Sequence, residues 1–470
     1  MQLNKIVLDN FRCFKHLELF FHTNHQSETL EKTGGMTVLV AANGQGKTAV
    51  LEAVKYLLGS FISRFPKTSV PRLKDSDYRD EWSLREGFLE SQFVKKPRAP
   101  YLRLWGEAEF SHAGDEPIQW DLFMKRDKTP RTGAQLPTFT GSKKINEQAD
   151  WFIDRDNEEK QAPLPIIAYY NTERAVIRNK PERRRGFQKI FNRYDAYTGA
   201  LDNGLNYKKT IEWFCFLEDK QRREKEVVQD WNYQTLEYRT IQLAVENMLP
   251  GFRNLRTTLG PLDLIVDIEE AEQSFKTCRI DTQLSDGYKI VLVLVLDLVS
   301  RILEANAGIP GVTPEQLLRA EGIVLIDEVD LHLHPSWQQR ILGDLRRTFP
   351  CLQFIVSTHS PQVVSSVPKE CVRIIDNGKL VSVDTPTQGV EIGDILRGIF
   401  GTDEIPQNTE ILKKLNRLHA MLAEGCGNSD EWENIYAELK QYYGENYPPL
   451  QGVLEHKAFL EKISVGGKNA

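Results

Sequence analysis

The stretch LVAANGQGKTAV, residues 39–50, decides the fold of this 470-residue chain. A short apolar run, MTVLVA at 36–41, predicts a buried strand that enters a glycine-containing loop, and TAVLEAVKYLLGSFISRF then carries apolar residues at helical spacing. A strand, a loop and a helix in that order bind phosphate, because backbone N–H groups and the N-terminus of the helix face the anion. The sequence therefore predicts a phosphate-binding loop, although the usual pattern has glycine where Ala41 stands.

The composition and charge of the chain narrow the kinds of protein that it could be. The 27% of charged residues is typical of a globular protein. The net charge of -6 argues against binding of nucleic acid through the charge of the protein as a whole. The longest apolar run, IVLVLVLDLV at 290–299, contains Asp297 and is about half the length that spans a bilayer. The first residues do not resemble a secretion signal, and the six cysteines form no C-x-x-C pair. We expect a cytoplasmic protein with no membrane segment, disulfide framework or zinc knuckle.

Three later motifs extend the nucleotide interpretation. GIVLIDE (322–328) predicts a buried strand that ends in Asp327, suited to Mg²⁺, and Glu328, suited to polarising the attacking water. FIVSTHS (354–360) predicts a second such strand, which ends at His359, within reach of a γ-phosphate. In LSDGYK (284–289), Ser285 and Gly287 open an apolar helix and offer a second anion site, as a head-to-tail dimer requires.

Each motif also has a plainer explanation. The loop could be a glycine turn, the strand ends could carry surface acids or a structural histidine, and Ser285 could only cap its helix. Because all four occur in one chain in a fixed order, coincidence is the weaker explanation.

These motifs, together with NFRCF at 10–14, resemble the ABC-type ATPases of the RecF/SMC/OLD group. The resemblance implies an α/β fold: an ABC-type P-loop ATPase head, a mixed sheet with an antiparallel β meander, with a short helical insertion and a helical C-terminal tail. The expected domains are a first ATPase lobe at 1–204, the insertion at 205–255, a second lobe at 256–400 and the tail at 401–470. Apart from the resemblance, local sequence patterns predict an irregular segment at 67–100, loops at 126–163 and 306–322, and a strand at 278–284. HLH at 332–334 then belongs to the group's LHP element rather than to a metal site.

The resemblance also assigns residues to ATP and Mg²⁺. Lys47, Glu328 and His359 are the expected catalytic residues, Thr48 and Asp327 the Mg²⁺ ligands, and Asp330 lies in the inter-subunit loop. The group's glutamine loop falls at AYYNTERA, which has no glutamine, so Asn171 or Thr172 is the candidate substitute. The expected nucleotide contacts are Asn43, Gly44, Gln45, Gly46, Lys47, Thr48, Ala49 and Arg12, with Ser285 and Gly287 acting on the nucleotide of the other subunit.

The chain is most similar to ATPases of Septu-type anti-phage systems, including retron-linked versions. This implies a dimer or higher homo-oligomer that controls a separate nuclease of the HNH type, since no nuclease motif follows STHS. A RecF-like DNA repair clamp and a slow-turnover, ATP-bound scaffold for a partner protein are the alternatives; a transporter motor fits least well. A basic run at 174–189, which includes Arg183, Arg184 and Arg185, is a possible DNA or RNA contact or simply a solvated loop.

Overall fold

The computed structural model describes most of the chain. The described ranges are 1–23, 33–79, 82–84, 93–95, 99–114, 116–125, 138–175, 192–202, 207–259, 262–270, 274–402, 409–444 and 446–466. Their contacts divide into two compact units, Met1–Glu391 and Ile392–Ala470.

The first unit contains all fifteen strands of the described residues and ten of the helices. The strands are β1 Gln2–Phe11, β2 Phe14–Phe20, β3 Met36–Val40, β4 Trp82–Leu84, β5 Phe93–Lys95, β6 Tyr101–Glu109, β7 Ile118–Lys125, β8 Ile166–Tyr170, β9 Phe252–Leu259, β10 Leu262–Glu269, β11 Phe275–Arg279, β12 Gly322–Ile326, β13 Leu352–Thr358, β14 Val372–Asp376 and β15 Lys379–Val381. The helices are α1 Lys47–Ile62, α2 Lys143–Asn157, α3 Tyr207–Val228, α4 Leu236–Met248, α5 Ile280–Gln283, α6 Asp286–Asn306, α7 Pro314–Leu318, α8 Pro335–Gln338, α9 Ile341–Thr348 and α10 Pro361–Val364.

A six-stranded sheet of order β15-β14-β3-β13-β12-β8 forms the centre of this unit. All its strands are parallel except β15. Every residue of β3, β8, β12 and β13 is buried, as expected for parallel strands covered on both faces. The carboxyl ends of these four neighbouring strands therefore meet at one edge of the sheet.

A four-stranded antiparallel sheet of order β2-β1-β6-β7 and a three-stranded one of order β11-β10-β9 accompany the central sheet. The predicted mixed α/β fold with an antiparallel component is confirmed. The insertion expected at 205–255 contains α3 and α4, and β9 begins at Phe252, before the predicted end.

The second unit is helical. Its helices are α11 Ile392–Gly398, α12 Glu410–Ala423, α13 Asp430–Tyr443 and α14 Pro448–Gly466. Trp432, Leu418 and Leu439 are fully or almost fully buried in a small apolar core of its own. No helix in the described ranges is long and apolar enough to cross a membrane.

Three sequence predictions were wrong locally. Residues 126–163 were expected to form a loop, but α2 lies within them, and its buried Ile145, Ala149 and Phe152 follow the helical spacing that a charged sequence concealed. The loop expected at 306–322 contains α7, which Thr313 caps and Pro314 opens. The strand expected at 278–284 ends at Arg279, and α5 begins at Ile280.

Candidate nucleotide-binding site

The loop that the sequence predicts to bind phosphate lies between β3 and α1. Gly44 and Gly46 have φ angles of 78° and 102°, the left-handed region that favours glycine. A Cβ at Gly46 would lie 2.5 Å from the Phe14 ring and 2.6 Å from Cys13 Sγ, so the turn of NFRCF packs directly on the loop. The first helical turn of α1 has no side-chain cap, which leaves its backbone N–H groups for an anion.

Ala41 does not distort this loop. Its backbone lies outside the left-handed region that would demand glycine, and the residue is buried beside the end of β3. Its carbonyl accepts a hydrogen bond from Lys47, as described below. The departure from the usual loop pattern is therefore compatible with the loop conformation.

Lys47 points back over the loop. Its Nζ donates to the carbonyl oxygens of Ala41 at 2.7 Å and Ala42 at 3.4 Å. Burial lowers the pKa of Lys47, and the carboxylates of Asp327, Glu328 and Asp330 act against that shift. A buried ammonium beside three carboxylates is suited to neutralising the charge of a phosphate.

Thr48 and Asp327 join the loop to the end of β12. The Thr48 hydroxyl donates to Asp327 Oδ2 at 2.9 Å, although 279 positions separate the two residues in sequence. A hydroxyl and a carboxylate are the hard oxygen donors that Mg²⁺ prefers, and they lie at the start of the helix that would face the phosphates. These two residues therefore fit a Mg²⁺ ion accompanying a nucleotide.

The other strand-end residues lie at the same edge of the sheet. Glu328 is the second residue after β12, and half-buried His359 directly follows the neighbouring β13. Asn171 follows β8 on the other side of β12, and its side-chain Oδ1 accepts from the Glu173 backbone amide at 3.0 Å. Because Tyr170 pairs with Ile326, the candidate substitute for the glutamine loop lies next to Asp327.

Arg12 is occupied by two carboxylates. Its guanidinium donates to Asp77 Oδ1 at 2.9 and 3.0 Å and also pairs with Glu52 of α1. Burial alone would lower the pKa of the Arg12 guanidinium, but the charges of Glu52 and Asp77 outweigh this effect. The pKa of Arg12 is therefore raised. In this arrangement Arg12 braces α1 against the segment that follows it, and the adjacent Cys13 and Phe14 make the contact with the loop.

The residues predicted to form a second anion site lie at the start of α6. Ser285 is the N-terminal cap residue of this 21-residue helix, is exposed and makes no side-chain cap hydrogen bond. A Cβ at Gly287 would approach the His332 carbonyl oxygen to 3.1 Å, so the first turn of α6 packs against the segment that follows the acids of β12.

The HLH segment has a structural role at His334. Its Nδ1 accepts from the Ser336 amide at 3.3 Å and caps α8. Among the residues that the structure describes, no group of three or more His, Cys, Asp or Glu side chains could hold a metal ion.

Sequence reasoning missed the hydroxyl groups of β13. Ser357 donates to Asp327 Oδ1 at 2.5 Å and Thr358 donates to Asp330 Oδ1 at 2.5 Å. Ser360 donates to Gln338 Oε1 at 2.7 Å. Three hydroxyl residues around His359 in the sequence STHS were the available signal, but their partners could be known only from the pairing of β12 with β13.

Comparison with known proteins decides the family. A family profile described as an AAA domain matches residues 5–249, which is 245 of the 470 residues. The chain belongs to the AAA-domain family. A second AAA-domain profile matches residues 265–365.

Individual relatives of this AAA-domain protein agree with that assignment. The Retron Ec83 probable ATPase of Escherichia coli is 26% identical over 519 residues, with 98% of this chain and 87% of the relative covered. Septu protein PtuA of Bacillus thuringiensis is 30% identical over 212 residues, with 43% of this chain and 50% of the relative covered. The AAA-domain protein is thus an ATPase that is similar to a retron ATPase and to a Septu protein, and its resemblance to the RecF/SMC/OLD group is confirmed.

A solved structure is also similar. The SMC head bound to the C-winged helix domain of ScpA has 16% identity and a TM-score of 0.43, with 82% of this chain and 98% of that chain covered. At that TM-score the likeness supports no conclusion about this AAA-domain protein.

Proposed function

We propose that this ATPase closes as a homodimer around two ATP–Mg²⁺ and thereby controls a separate HNH-type nuclease in anti-phage defence. The 2.9 Å contact between Thr48 and Asp327 carries the nucleotide part of this proposal, because it joins the phosphate-binding loop to the acidic strand end. In it, Lys47 neutralises phosphate charge, Thr48 and Asp327 hold Mg²⁺, Glu328 is the general base and His359 contacts the γ-phosphate.

The exposed Ser285 supports the dimer. Ser285 is the N-terminal cap residue of α6, but its side chain makes no cap hydrogen bond. Its hydroxyl and the helix N-terminus are therefore available to an anion from outside the chain. Ser285 and Gly287 of one subunit would then complete the nucleotide site of the other.

The first prediction concerns that dimer. Ser285→Arg should prevent ATP-dependent association, since a bulky side chain occupies the face that receives the other subunit's nucleotide. ATP binding by the single subunit should stay within about threefold of wild type, because the phosphate-binding loop is untouched. Light scattering with and without Mg-ATP measures the first effect, and nucleotide titration measures the second.

Thr282→Arg is the matched control, because it places the same side chain on an exposed position three residues earlier. We expect the Thr282→Arg protein to form the ATP-dependent dimer and the Ser285→Arg protein to remain a single subunit. If Ser285→Arg associates like wild type, the role across the subunit interface is wrong.

The nuclease partner rests on the resemblance to Septu-type ATPases. Co-expression of the chain with its neighbouring genes should yield a complex that contains a nuclease and whose DNA cleavage changes with ATP. Stimulation of ATP hydrolysis by DNA in the absence of any partner would instead favour a repair clamp. Full function of a hydrolysis-deficient chain would favour a scaffold.

A nucleic-acid contact through the basic run at 174–189 is the remaining part of the proposal. Its residues 176–189 lie outside the described residues, so this part rests on the sequence alone. A salt-dependent affinity for DNA or RNA that falls on charge reversal at Arg183, Arg184 and Arg185 is the expected result.

A further inference from the structure

The side chain of Ser357 lies between the two acidic residues at the end of β12. Its Oγ is 2.5 Å from Asp327 Oδ1, and the backbone amide of Glu328 donates to the same Oγ at 2.7 Å. Ser357 is fully buried and Asp327 is 2% exposed, so water does not compete for these bonds.

The direction of both hydrogen bonds follows from their chemistry. The amide of Glu328 can only donate, so Ser357 Oγ accepts there and its own proton points to Asp327. Thr48 donates to the other oxygen of Asp327 at 2.9 Å. Each carboxylate oxygen therefore has its own donor, and the plane of the carboxylate is fixed.

The backbone next to Asp327 also depends on residue 357. Glu328 has a φ of 49°, which is uncommon for a residue other than glycine and must be held by its surroundings. Ser357 stabilises this backbone conformation through two hydrogen bonds. Its Oγ accepts from the Glu328 amide, and its backbone carbonyl accepts from the Val329 amide at 2.9 Å. One residue of β13 thus fixes the backbone on which the proposed general base stands.

The next residue of β13 makes a similar connection. Thr358 donates to Asp330 Oδ1 at 2.5 Å and accepts from the Ser360 amide at 3.0 Å. The strand that precedes His359 is therefore joined to the turn at 327–330 by side chains at two successive positions.

We propose that Ser357 is a positioning residue for the metal–nucleotide site. It sets the orientation of the Asp327 carboxylate toward Mg²⁺ and the direction of Glu328 toward the attacking water. The proposal rests on the roles given above to Asp327 and Glu328. A hydroxyl is needed because one buried atom must both donate to a carboxylate and accept from an amide.

The second prediction compares Ser357→Val with Ser357→Thr, which have nearly the same shape and differ in the hydroxyl. The Kd of a fluorescent, non-hydrolysable ATP analogue is measured over a Mg²⁺ series and in EDTA. Ser357→Val should need about 10- to 100-fold more Mg²⁺ for half-maximal tightening, as is typical when a group that orients a metal ligand is lost. Its Kd in EDTA should stay within about twofold of wild type, and Ser357→Thr should behave like wild type.

A merely structural role would not produce this pattern, because the EDTA measurement reports nucleotide binding by the folded protein without metal. Ser357→Ala, which is smaller, replaces Ser357→Val if the latter does not fold. The same Mg²⁺ dependence in the variants with and without the hydroxyl would overturn the proposal.

Asp327→Asn separates this inference from the site assignment. If Asp327→Asn loses the Mg²⁺-dependent tightening while Ser357→Val keeps it, only the role of Ser357 is wrong. If Asp327→Asn keeps it too, the proposed Mg²⁺ site itself is wrong.

Discussion

Lys47→Met should lower the affinity for ATP by at least about 100-fold. The substitution removes at least two charge-assisted hydrogen bonds, and each such bond contributes about 1.5–3 kcal/mol. Lys47 is 6% exposed, and its ammonium is held at the loop by the carbonyls of Ala41 and Ala42. The Lys47 ammonium is thus already in place beside the proposed phosphate site, and folding has already removed its water. Isothermal titration with Mg-ATP measures the effect.

Lys55→Met is the matched control. Lys55 lies on the same helix, is also buried, and has a pKa that burial lowers. It stands over the ring of Tyr169, 5.0 Å from its centroid, and not at the loop. ATP affinity should therefore survive in Lys55→Met. Wild-type affinity in a folded Lys47→Met protein would show that the loop is only a turn.

Glu328→Gln should reduce the kcat of ATP hydrolysis by about 100- to 10,000-fold, the usual contribution of a general base. ATP affinity should change little, since the amide side chain keeps the size of the carboxylate and the backbone remains held by Ser357. Steady-state phosphate release and nucleotide titration separate the two effects.

Glu315→Gln serves as the control for this change. Glu315 is an exposed carboxylate in the first turn of α7, so the same substitution there should leave kcat unaltered. A Glu328→Gln protein that hydrolyses ATP at the wild-type rate would remove Glu328 from the reaction.

The central sheet was largely predictable from the sequence. Each motif strand is short, mostly apolar and directly followed by its motif, and such strands are typical of a parallel sheet buried on both faces. The glycine-dependent turn between β3 and α1 was likewise predictable, because Gly44 and Gly46 stand where φ is positive.

Side-chain partners were not predictable from the sequence. The bonds of Ser357 depend on the register that sets Val356 beside Ile326, and local sequence does not contain that register. Arg12 is a similar case, since its partner Asp77 lies 65 residues away, in a segment that sequence patterns left irregular. The α2 helix was missed because its charged residues concealed three buried positions.

Closure of two subunits around ATP is the central claim of this account, and the mass of Glu328→Gln in solution tests it most directly. One chain has a mass of 54.0 kDa. With Mg-ATP, Glu328→Gln should gain a species of twice the mass that it has in EDTA, and adding Ser285→Arg to the same chain should remove that species. If Glu328→Gln binds ATP and its mass is the same with and without it, ATP does not drive closure and the account is contradicted.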